Sequence, residues 1–219
     1  MEGRQGLLLS LILAVCFYGN AAQRTVCEKQ KADLVFLMDE SSTINTTDFT
    51  IMKNFTTALV NSFKVSKDLV RVGCAKFSDG FENNFFLNEM FTAEAVTKKI
   101  MEIGQRGGGS RISAALHRIK EHFESVHGSR RSEGVSQNLV VITDGDSEDD
   151  VEDVAYSLRE MGIEVFGIGI GDVHDLELLQ ITGTPERFFT VEDFDSLENI
   201  KGEVVKTICK SELPKEPDA

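Results

Sequence analysis

Apolar runs and amphipathic stretches alternate along the chain from about residue 33 onward. Three runs, at residues 33–39, 138–144 and 163–169, are almost wholly apolar, which is typical of strands covered on both faces. Shorter strand patterns lie at residues 70–77 and 187–191. Each long run ends in polar or glycine residues, where a loop must begin. The pattern therefore predicts a sheet built mainly of central strands.

Helical patterns lie between these runs. In residues 48–64, apolar side chains recur every three or four positions and form one stripe. The other helical patterns cover residues 95–103, 112–126, 151–161 and 197–208. Residues 81–91 break this rhythm and predict an antiparallel edge strand that follows a tight turn. The order of elements predicts an α/β fold: a doubly wound, mostly parallel central sheet with one antiparallel edge strand and helices on both faces.

The length of 219 residues suits one well-buried domain. We assign this domain to residues 33–209, after an N-terminal lead-in at residues 23–32. Residues 1–22 are interpreted as a cleaved signal peptide, because the apolar run after Arg4 holds about 12 residues, short of the ~20 that a spanning helix needs. The polar residues 210–219 hold two of the three prolines and predict a disordered tail.

The charge and the signal peptide limit the partners. The net charge is −13, which disfavours nucleic acid and anionic membranes because both are themselves negative. An acidic balance agrees better with cation binding. No segment after the signal peptide is long and apolar enough to insert into a membrane. We therefore expect a secreted protein of the extracellular space or matrix.

Four cysteines are present, and Cys16 should leave with the signal peptide. Cys27 and Cys209 flank the whole domain, so in an oxidising compartment we expect a bridge between them. Cys74 lies in an apolar strand pattern and is predicted to be a buried free thiol. A dimer through Cys74 or an unpaired terminal cysteine remains an alternative.

Candidate metal ligands follow the most apolar strand. Asp39, Ser41 and Thr43 form a D-x-S-x-T motif there, Asp144 ends the next long strand, and Ser110 follows three glycines. In open α/β sheets, ligands bind at the carboxyl ends of the strands. Carboxylate and hydroxyl oxygens are the hard ligands that Mg²⁺ prefers, and Mn²⁺ accepts the same set. Two carboxylates and three hydroxyls would hold an ion and leave one position open.

Three motifs carry a resemblance to a known family. The segments DESSTI, GGGSRISAAL and VVITDG resemble the von Willebrand factor type A domain and its metal-ion-dependent adhesion site, over residues 30–209. The segments VFLMDESSTI and VRVGCAKFSDG are similar to the matrix branch of that family, such as the A domains of collagen VI and the matrilins. Collagen repeats themselves are absent, so the sequence gives no support to a structural collagen role for this chain.

The resemblance implies a role for each candidate ligand. Ser41, Thr43 and Ser110 would be the hydroxyl ligands, and Asp39 and Asp144 the carboxylates. The family more often has serine at Thr43 and threonine at Ser110, and both departures keep the hydroxyl. The resemblance implies an adhesion module that catalyses nothing. Its metal would bind an acidic side chain of a matrix or cell-surface protein, with collagen among the candidate partners.

Two other classes of function remain alternatives. The first is a matrix assembly module that needs no metal. The second is a hydrolase with Asp39 as an aspartyl nucleophile, but such enzymes place a second acid two residues later, where this chain has Ser41. The triglycine is not a phosphate loop, since no lysine follows it.

Further surface features are also predicted. Asn45 and Asn54 begin N-x-T sequons, and a glycan on Asn45 would shade the metal-bearing face. Residues 125–136, which are rich in Gly, Ser and Arg, predict a surface loop. The histidines have no metal-ligand spacing, and we expect them all at the surface: His117, His122, His127 and His174.

Overall fold

A computed structural model of the protein describes residues 31–210. The predicted signal peptide, Cys27 and the chain beyond residue 210 lie outside the described residues. The central feature is a six-stranded sheet in the order β3-β2-β1-β4-β5-β6. Its strands are β1 (Ala32–Asp39), β2 (Val70–Phe77), β3 (Phe81–Phe85), β4 (Ser136–Thr143), β5 (Ile163–Ile170) and β6 (Phe188–Val191). Neighbouring strands are parallel except for β3, which runs antiparallel to β2, so the predicted fold class is confirmed.

Within residues 31–210, six α-helices cover the two faces of the sheet. They are α1 (Thr46–Val60), α2 (Ala93–Met101), α3 (Ile112–Ile119), α4 (Glu152–Glu160), α5 (Asp175–Thr182) and α6 (Leu197–Lys210). Side chains alternate along β1: Phe36 and Met38 join the core under α1, α2 and α6, while Val35 and Leu37 join the core under α3, α4 and α5. All eight residues of β1 are buried, as the apolar run predicts. None of the helices within residues 31–210 is both long and apolar enough to cross a bilayer.

Some element boundaries differ from the prediction. The pattern at residues 112–126 is not one helix. Helix α3 ends at Ile119 and is followed by two short 3-10 helices, Lys120–Phe123 and Ser125–His127. The edge strand β3 ends at Phe85, well before residue 91. The sequence pattern missed α5, which has only eight residues and buries Leu178, Ile181 and Thr182. Three buried positions give a stripe too short to recognise.

The prediction of a surface loop at residues 125–136 is wrong at its centre. Ser129 and Arg130 are buried. The Arg130 guanidinium forms an ion pair with Asp33 at 2.7 Å, and its Nη2 also donates to the carbonyl oxygens of Ala32 and Leu69. We call the contacts of Asp33, Arg130 and Gln137 the amino-end network, since they lie at the amino end of β1. The polar composition of this segment predicts exposure, but Arg130 can be buried because its charge is paired with Asp33.

The prediction that every histidine lies at the surface is wrong for His122. His117 and His174 are exposed, whereas His127 is half-buried and stacks on the Phe86 ring with 3.9 Å between centroids. His122 is fully buried, and its Nε2 lies 2.8 Å from Asn83 Oδ1. Desolvation lowers the pKa of His122 to about 4. This histidine is a neutral core residue.

The cysteines within residues 31–210 are Cys74 and Cys209. Cys74 is a buried free thiol, as predicted, and burial raises its pKa. Cys209, near the end of α6, is disulfide-bonded. Because Cys27 lies outside the described residues, the pairing of Cys27 with Cys209 stays a prediction.

Candidate metal site

The candidate site lies where the strand order reverses. The chain places β2 on one side of β1 and β4 on the other, so the loops after β1 and β4 diverge and leave a crevice at their carboxyl ends. Met38 pairs with Ile142 across the two strands. This register sets Asp39 beside Thr143, with Asp144 one residue further on. Topology therefore brings together two carboxylates that are distant in sequence.

A chain of hydrogen bonds joins all five predicted ligands. The Ser110 hydroxyl donates to Asp39 Oδ2 at 3.1 Å, and the Ser41 backbone N–H donates to Asp39 Oδ1 at 2.8 Å. The hydroxyl oxygens of Ser41 and Thr43 lie 2.9 Å apart. The Thr43 hydroxyl donates to Asp144 Oδ1 at 2.9 Å. Residues from three separate loops thus form one polar cluster.

The cluster is buried at one end and open at the other. Asp39 and Ser41 are buried, Ser110 and Asp144 are half-buried, and Thr43 is exposed. Asp39 is further held by the Thr143 hydroxyl, which donates to its Oδ2 at 2.7 Å. Sequence reasoning missed Thr143, although a threonine that ends an apolar strand just before Asp144 was a signal. The cluster can therefore be approached from the side of Thr43 and Asp144.

Burial destabilises the charged form of both carboxylates. Burial raises the pKa of Asp39, opposed by the hydrogen bonds from Thr143 and Ser41, and the nearby Asp144 charge raises it further. Burial also raises the pKa of Asp144, opposed by the Thr43 hydrogen bond. Two partly desolvated carboxylates that repel each other would both be stabilised by a cation between them.

Ser110 is delivered by residues 104–111, which we call the glycine loop. Gly107 and Gly108 have φ values of 79° and 122°, which disfavour residues with a side chain. A Cβ on Gly108 would lie 2.7 Å from Asp79 Oδ2. The backbone N–H of Ser42 donates to Gly108 O at 2.9 Å, and the Gly108 N–H donates back to Ser42 Oγ at 2.8 Å. Sequence reasoning missed Ser42, which ties the D-x-S-x-T segment to the glycine loop.

The donor set fits a hard divalent cation. Residues 31–210 hold no group of three or more His, Cys, Asp or Glu side chains that could bind a metal. The candidate site instead supplies two carboxylates and three hydroxyls, which balance the charge of one divalent ion. Such a set of oxygens suits Mg²⁺ or Mn²⁺ and disfavours metals that require thiolate ligands.

The fold and the site define an open α/β domain with a carboxylate and hydroxyl cluster at its switch point. The sequence model of the von Willebrand factor type A domain matches residues 33–203. The chain belongs to this family.

Several curated relatives are proteins of the extracellular matrix. The chain is 40% identical to the collagen alpha-6(VI) chain of Mus musculus over 95% of its own length and 9% of the relative. It is 30% identical to matrilin-2 of Mus musculus, over 84% of this chain and 20% of that one. It is also 33% identical to the transmembrane cell adhesion receptor mua-3 of Caenorhabditis elegans, over 88% and 5%. The chain thus spans less than a quarter of the length of each of these relatives.

A solved structure of similar sequence supports the fold. Proximal thread matrix protein 1 from the mussel byssus, with zinc in its metal-ion-dependent adhesion site (MIDAS) motif, superposes with a TM-score of 0.79. It is 28% identical to this chain, and the match covers 83% of this chain and 49% of that one. A related protein of similar fold therefore carries a divalent cation at its MIDAS motif.

Proposed function

We propose that this chain is an adhesion module that binds Mg²⁺ at a metal-ion-dependent adhesion site. Asp39, Ser41, Thr43, Ser110 and Asp144 would hold the ion. The observation that supports this proposal most is the chain of hydrogen bonds that joins these five residues from three loops, through the Ser41 backbone N–H and the hydroxyl and carboxylate side chains. Zinc at the MIDAS motif of the mussel protein also supports a divalent ion at this position. We name Mg²⁺ because the site offers only oxygen ligands, and Mn²⁺ is expected to substitute for it.

The proposed role of the ion is to bind an acid on a partner. A bound Mg²⁺ supplies a Lewis acid with an open coordination position, which a Glu or Asp side chain of the partner can fill. Thr43 and Asp144, on the open side of the cluster, would border that position, and the buried Asp39 would anchor the ion from below. The chain's own residues bind and orient, and we propose no reaction. Ser41 occupies the place where an aspartyl phosphatase would need its second acid.

We propose that the partner is a protein of the extracellular matrix or of a cell surface, with collagen among the candidates. The support is the similarity to collagen VI chains, to matrilin-2 and to a cell adhesion receptor. Secretion is part of this proposal, as is the signal peptide predicted at residues 1–22.

The test measures metal and partner binding together. Calorimetric titration with Mg²⁺ should show one binding site. Asp39→Ala should lower the affinity for Mg²⁺ by about 100-fold or more, because removal of a direct ligand should cost at least as much as removal of an outer-shell partner. Asp153→Ala removes an equal charge from the exposed first turn of α4 and is the control. Because Asp39 is buried, Thr43→Ala is the second variant, at an exposed position that cannot disturb the core.

Partner binding is then measured on a panel of matrix proteins with and without EDTA. The proposal predicts that EDTA and Thr43→Ala abolish binding while Asp153→Ala preserves it. If binding is indifferent to EDTA and to the site variants, the chain is the metal-independent assembly module instead.

A further inference from the structure

A buried ion pair lies next to the proposed metal site without belonging to it. Glu40 stands between Asp39 and Ser41, yet its side chain contacts a different set of groups. Its Oε2 lies 2.9 Å from Lys76 Nζ, and the two side chains are only 5% and 3% exposed. Lys76 comes from β2, the neighbouring strand, and Glu40 is fixed to that strand by its backbone N–H, which donates to Phe77 O at 2.8 Å.

Both members of the pair also bind the glycine loop. Lys76 Nζ donates to Gly104 O at 2.7 Å, and the Arg106 backbone N–H donates to Glu40 Oε2 at 2.7 Å. The intervening Gln105 donates through Nε2 to Ile44 O at 2.6 Å. The first half of the loop is thus fixed to the residues around the D-x-S-x-T motif. The second half carries Ser110.

Stability alone gives no reason for this pair. Replacing a buried ion pair with apolar side chains of similar size often leaves stability unchanged or improves it, because desolvation costs about as much as the attraction returns. Apolar side chains could not, however, bind the Gly104 carbonyl and the Arg106 N–H. The feature that only the charged pair provides is the position of the glycine loop.

We propose that Lys76, acting through Glu40, is a positioning residue for the metal site: it fixes the first half of the glycine loop so that the Ser110 hydroxyl meets Asp39. This inference rests on the proposed function, because it assigns Lys76 a role toward the same ion. Lys76 is not one of the five proposed ligands. Its effect passes through the backbone of residues 104–106.

The chain contains a matched control. Lys53 Nζ also donates to two backbone carbonyls, those of Met101 at 3.2 Å and Ile103 at 3.0 Å, immediately before the glycine loop. Lys76→Met and Lys53→Met therefore each remove a lysine that binds backbone in this region, but only Lys76 also pairs with Glu40. The two readouts are the Kd for Mg²⁺ and, in metal-free protein, amide hydrogen exchange at Arg106 and Gly108.

Lys76→Met should raise the Kd for Mg²⁺ by about tenfold or more, as loss of an outer-shell partner does at other metal sites. It should also speed exchange at Arg106 and Gly108. Lys53→Met should change neither quantity, even where it lowers the midpoint of unfolding. Equal effects of the two variants, or no effect of Lys76→Met on either readout, would overturn the proposal.

Glu40→Gln covers the case in which Lys76→Met fails to fold, because glutamine keeps the shape of the side chain but loses the charge that pairs with Lys76 and strengthens the hydrogen bond from Arg106. It should weaken Mg²⁺ binding and speed exchange at Arg106, and unchanged values would refute the positioning role. If the wild-type chain binds no Mg²⁺, the proposed function fails on its own. The exchange rates of the metal-free variants then still decide whether Lys76 fixes the loop.

Discussion

Substitution of Arg130 by methionine tests the amino-end network most directly. The change removes the guanidinium that pairs with Asp33 but keeps an unbranched apolar stem. Asp33 has no exposed surface. After the change, its carboxylate would keep two hydrogen-bond donors, the backbone N–H of residue 130 at 2.6 Å and Gln137 Nε2 at 2.8 Å. The carbonyl oxygens of Ala32 and Leu69 also lose a donor.

The expected loss of stability is large. Removing one partner of a buried ion pair costs about 3–5 kcal/mol, because the other charge is left buried without compensation. With a urea m-value of about 2 kcal/mol/M, a loss of about 4 kcal/mol lowers the unfolding midpoint by about 2 M. Most domains are stable by about 5–15 kcal/mol, so the variant should still fold in the absence of urea.

The assay is urea unfolding monitored by circular dichroism under non-reducing conditions. Arg131→Met is the matched control, since Arg131 is the exposed neighbour and its loss should change stability by no more than about 0.5 kcal/mol. The double variant Asp33→Leu/Arg130→Met should recover much of the loss, because it leaves no lone charge. The reasoning is refuted if Arg130→Met unfolds at the same urea concentration as Arg131→Met.

Three further predictions concern other parts of the chain. The pKa of His122 is about 4 in the folded protein against an ordinary 6.5, so the unfolded chain takes up the proton first as the pH falls. Up to about 3 kcal/mol of stability should therefore be lost between pH 6.5 and pH 4. The urea midpoint should fall less steeply with decreasing pH in His122→Gln than in the wild type. Gly128→Ala should cost about 3 kcal/mol in thermal or urea unfolding, because its Cβ would lie 2.7 Å from the Asn88 backbone nitrogen at a φ of 93°. Gly134→Ala, at a φ of 73° with open space around it, should cost only about 1 kcal/mol, and equal losses would contradict this account. If Asn45 is glycosylated, Thr47→Ala should strengthen partner binding, because it removes the sequon and with it the glycan that shades the site. The Asn45 side chain would still cap α1 through the N–H groups of residues 47 and 48. An unchanged affinity in surface plasmon resonance would show that the glycan does not shade the site.

The central strands and the gathering of the five candidate ligands could be predicted from the sequence. The strand at residues 70–77 has the same limits as β2, and the run at residues 33–39 lacks only Ala32 of β1. The reason is physical: a strand covered on both faces must be apolar almost throughout, and polar ligands can lie only where such strands end. Two strong local signals thus also fix where Asp39 and Asp144 meet.

Features that depend on distant partners could not be predicted. Arg130 and His122 look like surface residues, because the Asp33 and Asn83 that receive them lie 97 and 39 residues away in the chain. The tie between Ser42 and Gly108 depends on backbone shape, which composition does not reveal. One signal was available: Asp33 is a carboxylate at the start of an otherwise apolar run, and a buried carboxylate needs a cation.

Strand β1 is fastened at both of its ends. Asp33 is held by the amino-end network, and Asp39, six residues and about 20 Å further along, is held by the hydroxyls of Ser110 in the glycine loop and of Thr143 at the end of β4. A slip of one residue would turn every side chain of β1 to the opposite face, and a slip of two would pull both carboxylates from their partners. Strand β1 is therefore held in a fixed position. Any conformational change that accompanies the proposed ligand binding must occur in the loops and helices around it.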